Sequence, residues 1–175
     1  MKRAIPAALA VLGASLISGC LVAGRPLITP DNADYPFGEM VLYRLTPSRG
    51  AAANGSLLLY EQHYVRTDGD GRYFYVLFKA LGDGYYVAQQ IALEAEAPFP
   101  YRYDLVRIGD GFAESFQLRC SDVAVASFLE AGAITSISRD PSGVMNCAVS
   151  DLDGLMEIAR SRIGAKQPAG RFELR

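Results

Sequence analysis

The chain has one histidine, His63, no tryptophan and only three lysines among its 17 basic residues. Each scarcity excludes something. With a single imidazole there is no histidine-rich metal cluster, and His63 alone could serve as a base near neutral pH. It shares strand parity with Glu61, and a carboxylate–histidine pair is what an unrecognised hydrolase would have to use. No GxSxG, HExxH or SxxK accompanies it, and neither a GxGxxG turn nor a Gly-Lys-Ser/Thr phosphate loop is present. No CxxC spacing exists to suggest zinc. The acids of Thr67-Asp68-Gly69-Asp70-Gly71-Arg72 resemble the start of a calcium loop, but Arg72 and Lys79 stand where the fifth and twelfth positions need oxygen ligands. A hairpin turn accounts for that segment. No catalytic residue, metal or cofactor is therefore expected.

Basic runs are missing too. Arginines outnumber lysines 14 to 3 but are scattered along the chain. That argues against a nucleic-acid partner or an anionic lipid surface, since both need clustered positive charge.

The beginning of the sequence is the most specific part. Lys2 and Arg3 are followed by an apolar stretch from Ala4 to Ile17, interrupted only by Pro6, Gly13 and Ser15. It has the length of a signal-peptide core and falls short of the roughly 20 residues needed to span a bilayer. Ile17-Ser18-Gly19-Cys20 closes it: an aliphatic residue, two small ones and a cysteine. This resembles the lipobox of bacterial lipoproteins, over residues 1–20 only. The resemblance implies a signal peptide over 1–19 cleaved before Cys20, thioether lipidation of Cys20 and acylation of its new amine, the palmitate-type modification of that class. With Leu21 rather than Asp after the cysteine, it points to a cell-envelope protein anchored in the outer membrane and facing the periplasm, with a Gram-positive lipoprotein on the plasma membrane as the alternative. Loss of Lys2 and Arg3 leaves 15 basic against 19 acidic residues, a net charge of −4.

In that compartment the two remaining cysteines, Cys120 and Cys147, are expected to form a disulfide. Leu21 to Gly38 holds three prolines and two glycines without periodicity. Residues 20–38 therefore read as the lipidated cysteine followed by a flexible tether, able to reach ~60 Å when stretched.

Residues 39–175 read as a single β-rich domain, half of the whole chain being hydrophobic. Aromatic and β-branched runs bounded by Gly and Asp predict strands at 39–46, 56–66, 73–81, 85–93, 101–108 and 112–120. Gly82-Asp83-Gly84 and Gly109-Asp110-Gly111 supply hairpin turns. The segments Tyr73-x-Tyr75-x-Leu77 and Tyr101-x-Tyr103-x-Leu105 each lead into one of these turns, a faint internal repeat. Parity places Phe112, Phe116, Leu118 and Cys120 on one inner face.

Further on, helical patterns appear at 122–130 and after Ser150-x-x-Asp153, which looks like a capping box. Leu152, Leu155, Met156, Ala159 and Ile163 make the second one amphipathic. Segments 133–139 and 144–149 flank another turn, and 171–175 reads as a last short strand. The fold class is thus α+β: an antiparallel meander, a curled sheet or partly closed barrel, with one or two helices near the C-terminus.

Ten tyrosines are concentrated on these strands. Tyr73, Tyr75, Tyr101 and Tyr103 are the candidate binding residues, because phenol rings suit a half-wet sheet face that contacts a protein or polymer. The leading expectation is a membrane-anchored, non-catalytic binding or assembly module with an envelope protein or polymer as partner. A small-ligand carrier with a lipocalin-like curled sheet is the alternative, and a hydrolase using His63 the third.

Overall fold

The computed structural model of the protein describes residues 19–67, 71, 73–92, 100–139, 143–164 and 167–175. The signal segment expected over 1–19 falls outside them up to Ser18, as do residues 68–70 and 140–142, where turns are expected.

After a short strand β1 (Leu21–Ala23), seven strands follow as an antiparallel meander. They are β2 (Met40–Pro47), β3 (Ala53–Tyr60), β4 (His63–Thr67), β5 (Tyr73–Gly82), β6 (Tyr85–Ala92), β7 (Tyr101–Gly109) and β8 (Phe112–Gln117). The C-terminal strand β11 (Gly170–Leu174) enters between β8 and β2 and pairs antiparallel with both. Together with the β6–β7 pairing this closes an eight-stranded barrel. Closure satisfies the backbone groups that an open sheet would leave at its two edges. The short strand expected at the C-terminus is thus the one that completes the barrel.

Alternation along each strand sorts side chains into a lumen and an outer wall. Tyr43, Leu57, Tyr64, Val76, Phe78, Ala88, Val106 and Ala113 pack as one cluster inside. Gly55 has its place there because a Cβ on it would meet the Tyr43 ring.

A second core lies outside the wall. Leu77, Val87, Tyr103, Leu105 and Phe116 turn outward and are covered by further chain. The cover consists of residues 27 and 28, β1, α1 (Val125–Glu130), β9 (Ile134–Arg139), β10 (Met145–Val149) and α2 (Leu152–Ser161). In α2, Leu155, Met156, Ile158 and Ala159 are the buried side chains. β1 joins the edge of β7 at Tyr101 and Arg102, runs parallel to β10, and so carries the β10–β9 hairpin as an extension of the sheet.

The structure corrects several expectations. Residues 20–38 are no free tether: Leu21, Val22, Ala23, Leu27 and Ile28 are all buried. Prolines and glycines shape this segment, but its apolar residues have a wall to cover, and burying them outweighs the chain's freedom. The single strand expected at 56–66 is a hairpin, turning at Glu61 and Gln62 with φ of 46° and 65°. No Gly, Pro or Asn marks that turn. The strand expected to run to Cys120 stops at Gln117, and a 3-10 turn occupies Cys120–Asp122. Of the four residues that parity assigns to one inner face, Phe116, Leu118 and Cys120 are buried together, but in the outer core rather than the lumen, whereas Phe112 is only half-buried, with Arg107 and Arg171 over its ring. α2 is capped by Asp151, whose carboxylate accepts from Gly154 N at 2.8 Å, and not by Ser150.

Candidate functional site

One band of the outer wall is left uncovered. Strand register places Met40 opposite Leu58, Leu58 opposite Val65, Val65 opposite Tyr75, Tyr75 opposite Ile91 and Ile91 opposite Tyr101. These residues form one apolar row across β2 to β7, all on the outer face. Met40 is 57% exposed and Leu58 48%, while Leu42 and Tyr60 on the same strands add to the exposed area. The row was hidden in the sequence because its members lie on six different strands.

Toward β7 the row runs into a cleft. Its floor and walls include Tyr75, Ile91, Tyr101, His63, Pro26 and Pro30, around a volume of about 300 Å³. The proline-bearing side of the cleft is held in place by Gln89, a buried polar residue of the outer wall. Its Oε1 accepts from Leu27 N at 2.8 Å and Ile28 N at 2.9 Å, and its Nε2 donates to Ile28 O at 2.7 Å. Tyr103 completes the arrangement by donating its hydroxyl to Gln89 Oε1 at 3.2 Å.

The four candidate tyrosines therefore separate. Tyr75 and Tyr101 meet in the cleft. Tyr73 stands exposed at the start of β5, opposite Thr67. Tyr103 is 1% exposed and belongs to the core, where burial pushes its phenol pKa up. It cannot take part in a surface contact. His63 stacks beside Tyr75 with ring centroids 5.1 Å apart, and its Nδ1 lies 2.9 Å from the Glu61 backbone carbonyl rather than the carboxylate. The carboxylate–histidine pair conceivable from parity is not what this ring makes.

The lumen holds a second concave space. A cavity of about 70 Å³ is walled by residues of all eight barrel strands and bounded by Phe37. Phe37 is pinned by Tyr64, whose hydroxyl accepts from Phe37 N and donates to Gly38 O, both at 3.1 Å. Most of the wall is apolar, but Arg66, Gln90, Asp104 and Ser115 also line it. Arg66 Nη2 donates to Gln90 Oε1 at 3.1 Å, and Gln90 Nε2 donates to Asp104 Oδ2 at 2.6 Å. Burial lifts the Asp104 carboxyl to about 6, against the opposing pull of Arg66 and Gln90. Arg66 Nε is buried without a hydrogen-bond partner. Nothing in the sequence pattern singled out these three polar residues, since each sits in an otherwise ordinary strand.

Cys120 and Cys147 form a disulfide with Cα atoms 5.4 Å apart, both fully buried. Cys20 is the free cysteine, partly exposed, its thiol pKa raised chiefly by burial. Among the described residues no group of three or more His, Cys, Asp or Glu is placed to hold a metal ion. No described helix is long and apolar enough to cross a membrane. In comparisons with known proteins, no family model, no curated protein and no solved structure matches the chain.

Proposed function

We propose that this chain is a lipid-anchored envelope lipoprotein whose barrel is a non-catalytic binding module for another envelope protein or polymer. The lipobox supports the anchor at Cys20, with the outer membrane facing the periplasm as its site. The observation that carries the binding reading is the apolar row from Met40 to Tyr101, exposed at Met40 and Leu58 and half-buried beyond, with the aromatic cleft at its end. Contiguous apolar surface of this kind is kept by soluble domains mainly where something covers it. Tyrosine and proline walls suit a peptide or sugar face, being apolar in body and polar at the rim.

The test is crosslinking in intact cells from a photoreactive residue at position 58, compared with one at Arg44 on the same wall. Capture of a defined envelope component from 58 alone, lost when Tyr75 is changed to Ala, supports the reading. Equal, unspecific capture from both positions overturns it.

The second reading, a small-ligand carrier, draws on the closed lumen and on the unpartnered Arg66 Nε. A cavity of about 70 Å³ limits the cargo to a polar molecule of a few atoms or a few waters, far below lipocalin cargo. Native mass spectrometry showing no bound molecule on protein purified without denaturation would remove it.

A further inference from the structure

The start of the described chain is bound to the domain by its backbone. The Cys20 N–H donates to Asn146 Oδ1 at 3.3 Å, and the Cys20 carbonyl accepts from Cys147 N at 3.2 Å. Leu21 N donates to Leu118 O at 2.9 Å, and the Gly19 carbonyl accepts from Cys120 N at 3.0 Å. The amide between residues 19 and 20 is therefore engaged at both ends, its oxygen by a backbone donor and its nitrogen by a side-chain acceptor. Gly19 is itself buried, and a Cβ on it would run into the Met145 carbonyl. Only an unbranched chain atom fits at that point.

These features make a receptor for a particular chemical group. In the lipoprotein reading, on which this inference rests, water hydrolyses the Gly19–Cys20 bond, leaving a carboxylate on Gly19 and an amine on Cys20. Transfer of an acyl group from an acyl ester then forms a new amide, and the amine's proton leaves with the ester's alcohol. At the atoms the domain contacts, the new group repeats the old one. Both present a carbon, a carbonyl and an N–H in sequence, and the first methylene of a linear acyl chain is as free of branches as glycine.

We propose that the folded domain contains a binding site for the acylated amino terminus, taking an amide-linked linear acyl chain. Its carbonyl accepts from the Cys120 N–H, its N–H donates to Asn146, and its first methylene lies against the Met145 carbonyl. An unacylated terminus suits the site badly. It leaves the Cys120 N–H without the carbonyl that accepts from it. The lipid is then part of the fold's edge, and the barrel is held against the membrane instead of swinging from it.

The experiment compares two forms of the same mature lipoprotein in one detergent: fully acylated, and carrying the thioether lipid with a free amine. Mass spectrometry first establishes what Cys20 carries. Amide hydrogen exchange at Cys120 and the melting temperature are then read for both. Exchange at Cys120 is expected to be at least tenfold slower in the acylated form, with a higher melting temperature. Equal exchange and equal melting in chains proven to differ in acylation overturn the site and leave the lipoprotein reading standing. An unmodified Cys20 in protein from its native membrane overturns that reading and the site with it. A Gly19→Val change in the uncleaved chain supplies an independent arm: a lowered melting temperature supports the slot, and an unchanged one overturns it.

Discussion

Gln89 grips Ile28 from both sides, donating to its carbonyl at 2.7 Å and accepting from its N–H at 2.9 Å. A side-chain amide here does what a neighbouring strand would do, and it draws the proline-rich segment onto the wall. Because the site is buried, a Gln89→Leu change leaves the Leu27 and Ile28 backbone groups without partners. Each costs ~1–3 kcal/mol. A loss of roughly 3 kcal/mol in urea denaturation is expected, together with faster amide exchange at Leu27 and Ile28. Unchanged protection at those amides would show that the segment is held by other contacts.

The disulfide joins the turn after β8 to β10 across a separation of 27 residues. By the chain-entropy model such a loop contributes about 3.5 kcal/mol. A double Cys120→Ala and Cys147→Ala variant is expected to lose about that much in denaturant, and the parent to match it under reducing conditions. A much smaller loss would mean that packing alone fixes this junction.

Asp104 makes stability depend on pH. Its folded pKa, about 6, lies above the ordinary value of 3.8, so the folded state binds the proton more tightly. Below pH 4 both states are protonated and no penalty exists. Between pH 4 and pH 6 the penalty grows, and above pH 6 it is complete, at roughly 2–3 kcal/mol. Asp104→Asn keeps an acceptor for Gln90 and removes the charge. The variant is expected to gain stability over the parent at pH 7.5 and to gain little at pH 4. A parallel pH dependence in the two proteins would assign the effect to other groups.

How far the sequence reaches is clear from particular residues. Asp83, at φ 52° between two glycines, marks the β5–β6 turn so plainly that the hairpin can be placed unaided. Glu61 and Gln62 adopt the same region of backbone space with no compositional sign, and the β3–β4 turn was missed. Parity groups Phe112, Phe116, Leu118 and Cys120, and three of them are buried together while Phe112 is not; a barrel wall buried on both faces has two insides, and alternation does not say which is the lumen. The role of Leu21–Ala23 was invisible because a proline-rich stretch looks alike whether it hangs free or is pinned. What pins it lies far along the chain: β7 and β10 pair with Leu21–Ala23, and Gln89 holds Leu27 and Ile28. The outer apolar row and the contacts around Gly19 and Cys20 are illegible for the same reason: pairing between distant segments creates them, and such pairing is not local.

Leu57 and Leu58 are neighbours in β3 that face opposite ways, and they separate folding from binding. Leu57 lies in the lumen at 9% exposure, whereas Leu58 is 48% exposed on the outer row. Leu57→Glu buries a carboxylate in the lumen directly opposite Arg66 and in the same cavity as Asp104; even with that partner a buried charge replaces well-packed leucine at a net cost, and a lowered melting temperature is expected. Leu58→Glu leaves every lumen contact in place, and surface changes of this kind stay within about 0.5 kcal/mol. Its melting temperature should therefore match the parent, while capture from a photoreactive residue placed instead at position 60, exposed on the same outer face, disappears. The Met40→Glu variant, directly across the strand pair, should behave as Leu58→Glu does. If both outer variants kept full capture, the row would be a bare wall and the partner would have to sit elsewhere. If Leu58→Glu instead destabilised the protein as Leu57→Glu does, the strand would be buried on both faces in the assembled state, pointing to a second copy of the chain on the row.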